Sequence, residues 1–117
     1  MAISAKRNQP EADFRRKVMK LAEILGYRPV HFKTSLTAKG QHLTTYEGMG
    51  KGYPDLFIAR SPTATQAPRL IWAELKAGKN KLDPEQEEYL NFLRSCGAET
   101  YLWRDTDWEQ VVEVLRR

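Results

Sequence analysis

Two short apolar runs of equal length are the feature that most constrains how this chain can fold. They are residues 56–59 (LFIA) and residues 70–73 (LIWA), and a ten-residue segment joins them. That segment, RSPTATQAPR, is rich in Ser, Thr and Pro, which is typical of a loop. Apolar runs of this length between turn residues are typical of buried strands. We therefore expect an antiparallel hairpin centred on the loop, with Leu56 opposite Ala73.

Helical patterns flank this hairpin. Apolar side chains recur at helical spacing after Pro10, and Gly26 follows them, which predicts a helix from about Pro10 to Leu25. A second helix is predicted after Asp83, which is suited to the N-cap, with Gln86 placed to complete a capping box. The first nine residues are expected to form a flexible tail.

The remaining segments complete an α/β pattern. Strands are expected near residues 30–32 and 98–103, a further strand could lie within 42–46, and a last helix follows residues 105–107. The predicted order is α-β-β-β-α-β-α, a central mixed sheet covered by helices. At 117 residues, this pattern is expected to form one domain spanning the chain.

The expected register brings two acidic residues together. If Leu56 pairs with Ala73, Asp55 lies opposite Glu74 on one sheet face, with Cβ atoms about 4.5–5.5 Å apart. Two like charges so placed repel each other, and a divalent cation would remove that repulsion. Because Mg²⁺ takes one or two carboxylates and keeps several waters, we expect Mg²⁺ or Mn²⁺ here.

A lysine follows on the same strand. Side chains alternate along a strand, so Lys76 projects to the same face as Glu74 and could stabilise charge that develops on a phosphate. A bound cation would polarise the phosphoryl group and acidify a water molecule. The alternative is that Asp55 begins a turn after Pro54, and that Glu74 and Lys76 are ordinary charges at a strand end. The combination of these residues with the hairpin register favours metal chemistry.

Three motifs in this order resemble a known family. They are residues 52–56 (GYPDL), residues 73–76 (AELK) and residues 82–86 (LDPEQ), the last directly before a predicted helix. Together they resemble the VRR-NUC domain of the PD-(D/E)xK nuclease superfamily, and the resemblance covers almost the whole chain from Glu11 onward. It implies a restriction-endonuclease-like αβββαβ core, and it is closest to the stand-alone members of phage or bacterial type.

The resemblance also implies roles for individual residues. Asp55 and Glu74 match the metal-binding acids, Lys76 matches the catalytic lysine, and the carbonyl of Leu75 matches a further metal ligand. Gln86 matches a glutamine that approaches the reaction centre, although a capping box also explains it. Glu11 matches an acid of the first helix that could join the metal site, and helix-dipole compensation is its alternative. A homodimer is implied as well.

The charge distribution points to a polyanionic partner. Residues 1–60 carry 11 Lys and Arg against 5 Asp and Glu, whereas residues 61–117 carry 8 against 10. Basic side chains on phosphates release counterions, so this asymmetry favours a nucleic acid. A glycine-rich segment at residues 48–52 precedes the Pro-Asp pair and suits a contact with the DNA backbone. The residues expected to contact DNA are Arg15, Lys33, Lys39, Lys51 and Tyr53.

The predicted function is a Mg²⁺- or Mn²⁺-dependent, structure-selective DNA endonuclease acting on branched DNA such as Holliday junctions. The rivals are a non-catalytic DNA-binding module on the same fold, a flap- or single-strand-specific nuclease, and a sequence-specific restriction-type enzyme. One cysteine and two histidines make a structural zinc site an unfavourable interpretation. With no apolar run suited to a signal peptide or a membrane span, we expect a cytoplasmic protein. The family resemblance implies a phage or its bacterial host as the source.

Overall fold

A computed structural model of the chain describes residues 2–32, 35–36, 42–43 and 48–117. Three helices and six strands are present in these ranges. In chain order they are α1 (Ala2–Ile24), β1 (Arg28–His31), β2 (Ser35–Leu36), β3 (His42–Leu43), β4 (Leu56–Arg60), β5 (Arg69–Lys76), α2 (Pro84–Ser95), β6 (Glu99–Arg104) and α3 (Trp108–Arg116). A short 3-10 helix, Asp105–Asp107, leads into α3. The predicted α/β order is therefore confirmed.

Four of the strands form one mixed sheet in the order β1-β4-β5-β6. β4 is antiparallel to both β1 and β5, whereas β6 joins β5 in parallel. Leu56 lies opposite Ala73 and Ala59 opposite Leu70, which confirms the register expected from the two apolar runs. The parallel pair β5-β6 is connected through α2, as a crossover connection requires.

The remaining two strands form a separate short hairpin, in which Ser35 of β2 lies opposite Leu43 of β3. β3 confirms the beginning of the strand considered at 42–46, and residues 44–46 lie outside the described residues. The predicted strands at 30–32 and 98–103 correspond to β1 and β6, each displaced by one or two residues.

The start of α1 differs from the prediction. The helix begins at Ala2, so Pro10 lies inside it, and the predicted start at Pro10 was wrong. Proline lacks the N–H that would bond to the carbonyl four residues earlier. The segment before Pro10 contains good helix formers, including Ala2 and Ala5, which favour the helix there. The flexibility expected of residues 1–9 stays a prediction.

One face of the sheet carries the hydrophobic core. Alternate residues of β4 and β5 are fully buried on this face, and α1 and α3 cover it. The core side chains are Phe14, Val18, Ala22, Tyr27, Leu56, Ile58, Ile71, Ala73, Leu75, Trp103, Val111, Val114 and Leu115. Because side chains alternate along β5, Glu74 and Lys76 point to the opposite face.

A buried polar network fixes the end of α3 to the sheet. Tyr27 donates a hydrogen bond to the carbonyl of Leu115 at 2.9 Å and accepts bonds from Arg60 and Arg69 at 2.9 and 2.8 Å. One donor and two acceptor positions satisfy a hydroxyl completely. Arg69 also donates to the carbonyl of Val114 at 2.6 Å. The network holds the carboxyl end of α3 beside the loop between β4 and β5.

Among the described residues, no helix combines the length and the apolar character needed to cross a membrane.

Candidate active site

Two carboxylates meet where β4 begins and β5 approaches its end. Asp55 directly precedes β4, and the confirmed register places it opposite Glu74 of β5. Pro54 is fully buried, and the carbonyl of Asp55 accepts a hydrogen bond from the backbone N–H of Phe32 at 2.8 Å. The hydrogen bond joins the Pro-Asp segment to the end of β1, and the burial of Pro54 packs this segment into the fold.

The surroundings of both acids disfavour their charged forms. Burial raises the pKa of Glu74 to about 8, and repulsion from Asp55 adds to the effect of burial. Burial also raises the pKa of Asp55 to about 6, with repulsion from Glu11 as the next cause. Glu74 is only 3% exposed. The site therefore holds two acidic groups in a place where negative charge is costly without a compensating cation.

The oxygens of these acids are incompletely bonded. The backbone N–H of Leu75 donates to the Asp55 carboxylate, and the N–H of Asp55 donates to the Glu74 carboxylate. One buried oxygen of each, Asp55 Oδ1 and Glu74 Oε1, has no hydrogen-bond partner among the described residues. Unpaired buried oxygens on adjacent acids are the donor set that a hard divalent cation requires. The residues present therefore fit Mg²⁺ or Mn²⁺.

The cation site would rest on two side chains. Within the described parts of the chain, no group of three or more His, Cys, Asp or Glu residues is arranged to hold a metal ion. Two carboxylates match the small number that Mg²⁺ takes from a protein, with water filling other positions. Leu75 lies between the two site residues of β5, and the role predicted for its carbonyl stays a prediction.

Lys76 lies beside both acids, as predicted. Its charge lowers the pKa of Asp55 and of Glu74, although burial outweighs it in each case. The side chain is partly exposed, at the last residue of β5. The catalytic role predicted for Lys76 stays a prediction.

The first helix contributes two further charges. Repulsion from Glu11 raises the pKa of both acids, and attraction from Arg15 lowers that of Asp55. Glu11 and Arg15 are four residues apart, so they lie on one side of α1. Glu11 thus acts electrostatically on the acids, but among the described residues it does not complete a metal-binding group with them, and its role at the metal stays a prediction. Arg15 also acts on Asp55, and its predicted contact with DNA stays a prediction.

Gln86 makes a contact that fits each of the two interpretations considered for it. Its Oε1 accepts a hydrogen bond from the backbone N–H of Asp83 at 2.9 Å, which completes the capping box at the start of α2. Its Nε2 donates to Glu74 Oε2 at 3.2 Å. The two ends of one amide therefore join the helix terminus to the acid pair.

A comparison with protein-family models agrees with this arrangement. The model of the VRR-NUC domain matches residues 10–105 of the 117-residue chain. The chain belongs to the VRR-NUC family. A search of curated proteins found no match, and a search of solved structures found none either. VRR-NUC domains are nuclease domains of restriction-endonuclease-like fold, so the chain has a nuclease-type function with DNA as its substrate.

The structure describes some of the residues expected to bind DNA in this VRR-NUC domain, whereas others lie outside its described ranges. Lys51 is exposed and its Nζ lies 3.4 Å from Glu85 Oε1, at the start of α2. Tyr53 is 39% exposed, two residues before Asp55. Lys33 and Lys39 lie outside the described residues. The contacts of these residues with DNA stay predictions.

Gly52 is a site residue that the sequence did not identify as necessary. Its φ is +86°, and a Cβ built on it would lie 2.4 Å from the backbone oxygen of Glu85. Only glycine permits both this backbone conformation and this approach. The Pro-Asp segment and the start of α2 therefore pack backbone to backbone. A hint was present in the sequence, since Gly52 opens the motif that contains Asp55.

Proposed function

We propose that this VRR-NUC protein is a divalent-metal-dependent, structure-selective DNA endonuclease that acts on branched DNA such as Holliday junctions. The observation that carries the proposal is the pair of opposed acids, Asp55 and Glu74, each with an unpaired buried oxygen. In a metal-free fold this pair is unfavourable on both counts, burial and repulsion. A cation bound between the two acids would offset the repulsion and bind their unpaired oxygens.

The residues divide the work of phosphodiester hydrolysis between them. Asp55 and Glu74 would hold Mg²⁺ or Mn²⁺, which supplies a Lewis acid and lowers the pKa of water. Lys76 stabilises the negative charge that grows on the phosphate in the transition state. Gln86 holds the Glu74 carboxylate in position through its 3.2 Å hydrogen bond.

DNA selection is proposed to depend on the positive charges around this centre. Arg15 and Lys51, with Lys33 and Lys39, would contact phosphates without reading base sequence. Binding should therefore weaken steeply as salt is added. A homodimer, which we propose from the family resemblance, would present two such centres to the two strands of a branch.

The test is a cleavage assay on a panel of DNAs with the purified protein. Junction, flap, single-stranded and duplex DNAs are each incubated with Mg²⁺, Mn²⁺ or EDTA. We expect cleavage with either metal, none with EDTA, and faster cleavage of the branched DNAs than of the duplex. Asp55→Asn and Glu74→Gln should abolish cleavage and weaken Mn²⁺ binding measured by calorimetry, while DNA binding persists.

Glu109→Gln is the matched control, because Glu109 is an exposed acid on α3, on the other side of the sheet. It should cleave like the wild type. A folded Glu74→Gln variant that cuts at the wild-type rate would show that the acid pair is not the active centre. Binding of branched DNA without cleavage under any metal condition would favour the non-catalytic module instead.

A further inference from the structure

Four aromatic side chains form a continuous strip on the surface. Phe32, Tyr53, Tyr89 and Phe92, here called the aromatic strip, follow one another at centroid distances of 5.6, 5.3 and 5.9 Å. All three contacts are edge-to-face, with interplanar angles of 72–88°. Phe32, Tyr53 and Phe92 are 45%, 39% and 55% exposed, and Tyr89 is half-buried. Apolar side chains that are exposed together usually mark a binding surface.

The aromatic strip begins at the acid pair. Tyr53 precedes Pro54 and Asp55, and the backbone N–H of Phe32 bonds to the Asp55 carbonyl. Tyr89 lies three residues after Gln86, which bonds to Glu74. Phe92 continues the strip along α2, away from the acids. A substrate held at the acid pair would therefore extend directly onto the aromatic strip.

The rings are held in place although solvent reaches them. The hydroxyl of Tyr53 accepts a hydrogen bond from Trp72 Nε1 at 2.7 Å, and Trp72 in turn packs on Phe57 at 4.9 Å. Gly52 presses the Tyr53 segment onto the start of α2. A preorganised aromatic surface loses little conformational entropy when it binds, which favours binding.

The chemistry of the strip selects one part of DNA. Proteins bind phosphates with cations or with N–H and O–H donors. Among these, the aromatic strip offers only the hydroxyls of its Tyr residues. In a paired duplex the faces of the bases are stacked within the helix and cannot reach a protein surface. An unpaired base exposes its face and stacks on aromatic side chains, whatever the base. Lys51, beside the start of α2, could contact the phosphates that link such bases.

We propose that the aromatic strip binds unpaired nucleobases next to the scissile phosphate, so that the preferred substrate is a branch with single-stranded nucleotides. This rests on the proposed nuclease function and narrows its substrate class. A second copy of the chain is the alternative occupant. It would cover the approach to Asp55 and Glu74, because the strip begins beside them. Two cations near this beginning, Lys76 at the end of β5 and the exposed Lys51, favour DNA instead.

The experiment compares two substitutions at one exposed position. Phe92→Leu keeps an apolar side chain but removes the aromatic face, whereas Phe92→Trp keeps an aromatic face. Both should fold, since Phe92 is 55% exposed. Binding is measured in EDTA to a duplex and to a junction that carries two unpaired nucleotides at its branch, one of them the fluorescent base 2-aminopurine. Ile24→Ala, which truncates a 68% exposed side chain at the end of α1, is the control.

In the wild type, Phe92→Trp and Ile24→Ala, we expect 2-aminopurine fluorescence to be quenched by stacking. Phe92→Leu should lose most of the quenching and bind the unpaired junction about 5- to 150-fold more weakly, the range expected for one stacked base. Its affinity for duplex should not change. Tyr89→Leu should have the same effect, because Tyr89 links Phe92 to the acid pair.

Two results would overturn the inference. One is an equal loss of affinity for duplex and unpaired junction in Phe92→Leu, or no loss at all. The other is a change of oligomeric state on sedimentation of Phe92→Leu with quenching retained, which would assign the strip to a second copy. The binding assay contains no metal, so its outcome is independent of cleavage. If stacking is observed but no metal supports cleavage, the proposed nuclease function fails and the stacking inference stands.

Discussion

At the scale of single residues, identifiable neighbours favour or disfavour the charged form of each acid of the pair. Burial disfavours the charged form of each acid, and repulsion adds to it, mainly from Glu11 at Asp55 and from Asp55 at Glu74. Lys76 and a backbone N–H favour both charged forms, and Arg15 also favours that of Asp55. Burial dominates in both. The charge of Lys76 therefore does not offset the cost of burying the pair, and its side chain is partly exposed at the end of β5. A catalytic lysine would act on the phosphate in the transition state, whereas a structural lysine would only pair with the acids.

The first prediction tests that distinction at Lys76. An interaction made only in the transition state lowers kcat without weakening the ground-state complex. Lys76→Ala should cleave about 10²- to 10³-fold more slowly, comparable to the loss of one preorganised donor, with DNA affinity close to that of the wild type. Lys76→Arg should not restore the rate, because a planar guanidinium does not replace a compact ammonium. Single-turnover cleavage and metal-free binding measure the two quantities.

The exposed Lys79, on the loop after β5, provides the control, and Lys79→Ala should lose less than Lys76→Ala. If Lys76→Ala keeps most of its activity, the catalytic role passes to another group. If the variant unfolds, Lys76 is a structural residue and the predicted role was wrong.

Residues of the acid pair were predictable because their positions follow from local rules. Equal apolar runs and a loop between them set the hairpin register, and side-chain alternation then aligned Glu74 with Lys76. Arg15 shows the limit of this reasoning. Its charge identified it as a DNA contact, but its proximity to Asp55 depends on how α1 packs on the sheet, which no local rule describes. The sequence provided no distance between those elements.

At the scale of elements, the start of α2 contains one side chain, Gln86, that both caps the helix and contacts the acid pair. Gln86 caps the helix with one end of its amide and holds Glu74 with the other. The capping box was predictable from Asp83 and Gln86, since its spacing is local. The contact with Glu74 has no local signature and was expected only from the family resemblance.

The second prediction separates these two functions with a pair of substitutions. Asp83→Ala and Gln86→Ala each remove one side of the capping box and should each lower the free energy of unfolding by about 1 kcal/mol. Only Gln86→Ala also removes the hydrogen bond to Glu74. We therefore expect Gln86→Ala to reduce kcat about 10-fold or more, with Asp83→Ala close to the wild-type rate. Chemical denaturation and cleavage assays measure the two effects, and equal rates in both variants would limit Gln86 to capping.

The third prediction concerns the packing of the Pro-Asp segment on α2. Gly52 and Gly48 both have positive φ, +86° and +81°, but among the described residues only the Cβ of a substituted Gly52 would meet a neighbour within 4 Å. Gly48→Ala should cost about 1 kcal/mol for the unfavourable backbone conformation alone. Gly52→Ala should cost at least about 2 kcal/mol and should also lower cleavage, because its Cβ forces Asp55 and α2 apart.

Denaturation of the two glycine variants under the same conditions isolates the effect of this contact. Equal destabilisation would show that the segment and α2 separate without cost.

The order of the strands and helices along the chain could be predicted because apolar periodicity and helix caps depend on residues close together in the sequence. The predicted start of α1 was wrong because we interpreted Pro10 as a residue of the first helical turn. In the structure, Pro10 lies inside the helix.

At the scale of the whole molecule, two polar clusters lie at different ends of the sheet and respond to pH in opposite directions. Beside α3, Arg69 binds both oxygens of Glu99. Partial burial would raise the pKa of Glu99, but hydrogen bonds from Arg69 and Tyr101 outweigh it and lower the pKa below its usual value. A lowered pKa gives stability that is lost only as the pH falls through the acidic range. Above about pH 5 this cluster therefore contributes a constant amount.

The fourth prediction is that the metal-free protein loses stability as the pH rises from about 5 to about 8. The folded pKa of Glu74 is raised to about 8, so its contribution is complete below the unfolded value of 4.5 and is lost as the pH rises through the folded value. Asp55, raised to about 6, acts in the same direction. In EDTA, the free energy of unfolding measured with urea should fall over this range, at up to about 1.4 kcal/mol per pH unit for a carboxyl group that is protonated only in the folded state.

A comparison with Glu74→Gln isolates this effect from the titration of other groups, such as the two histidines. The variant keeps the shape of the side chain but cannot ionise, so it should show a flatter profile and exceed the wild type in stability at pH 8. Saturating Mg²⁺ or Mn²⁺ should reverse the order at pH 8, because a ligand at 100 times its Kd stabilises the folded state by about 2.7 kcal/mol and the variant binds it weakly. Parallel profiles for wild type and variant, with and without metal, would mean that the acids are neither mutually repelling nor a cation site. Only a site that is costly when empty and stabilised when filled gives the crossing, and this readout does not depend on any DNA substrate.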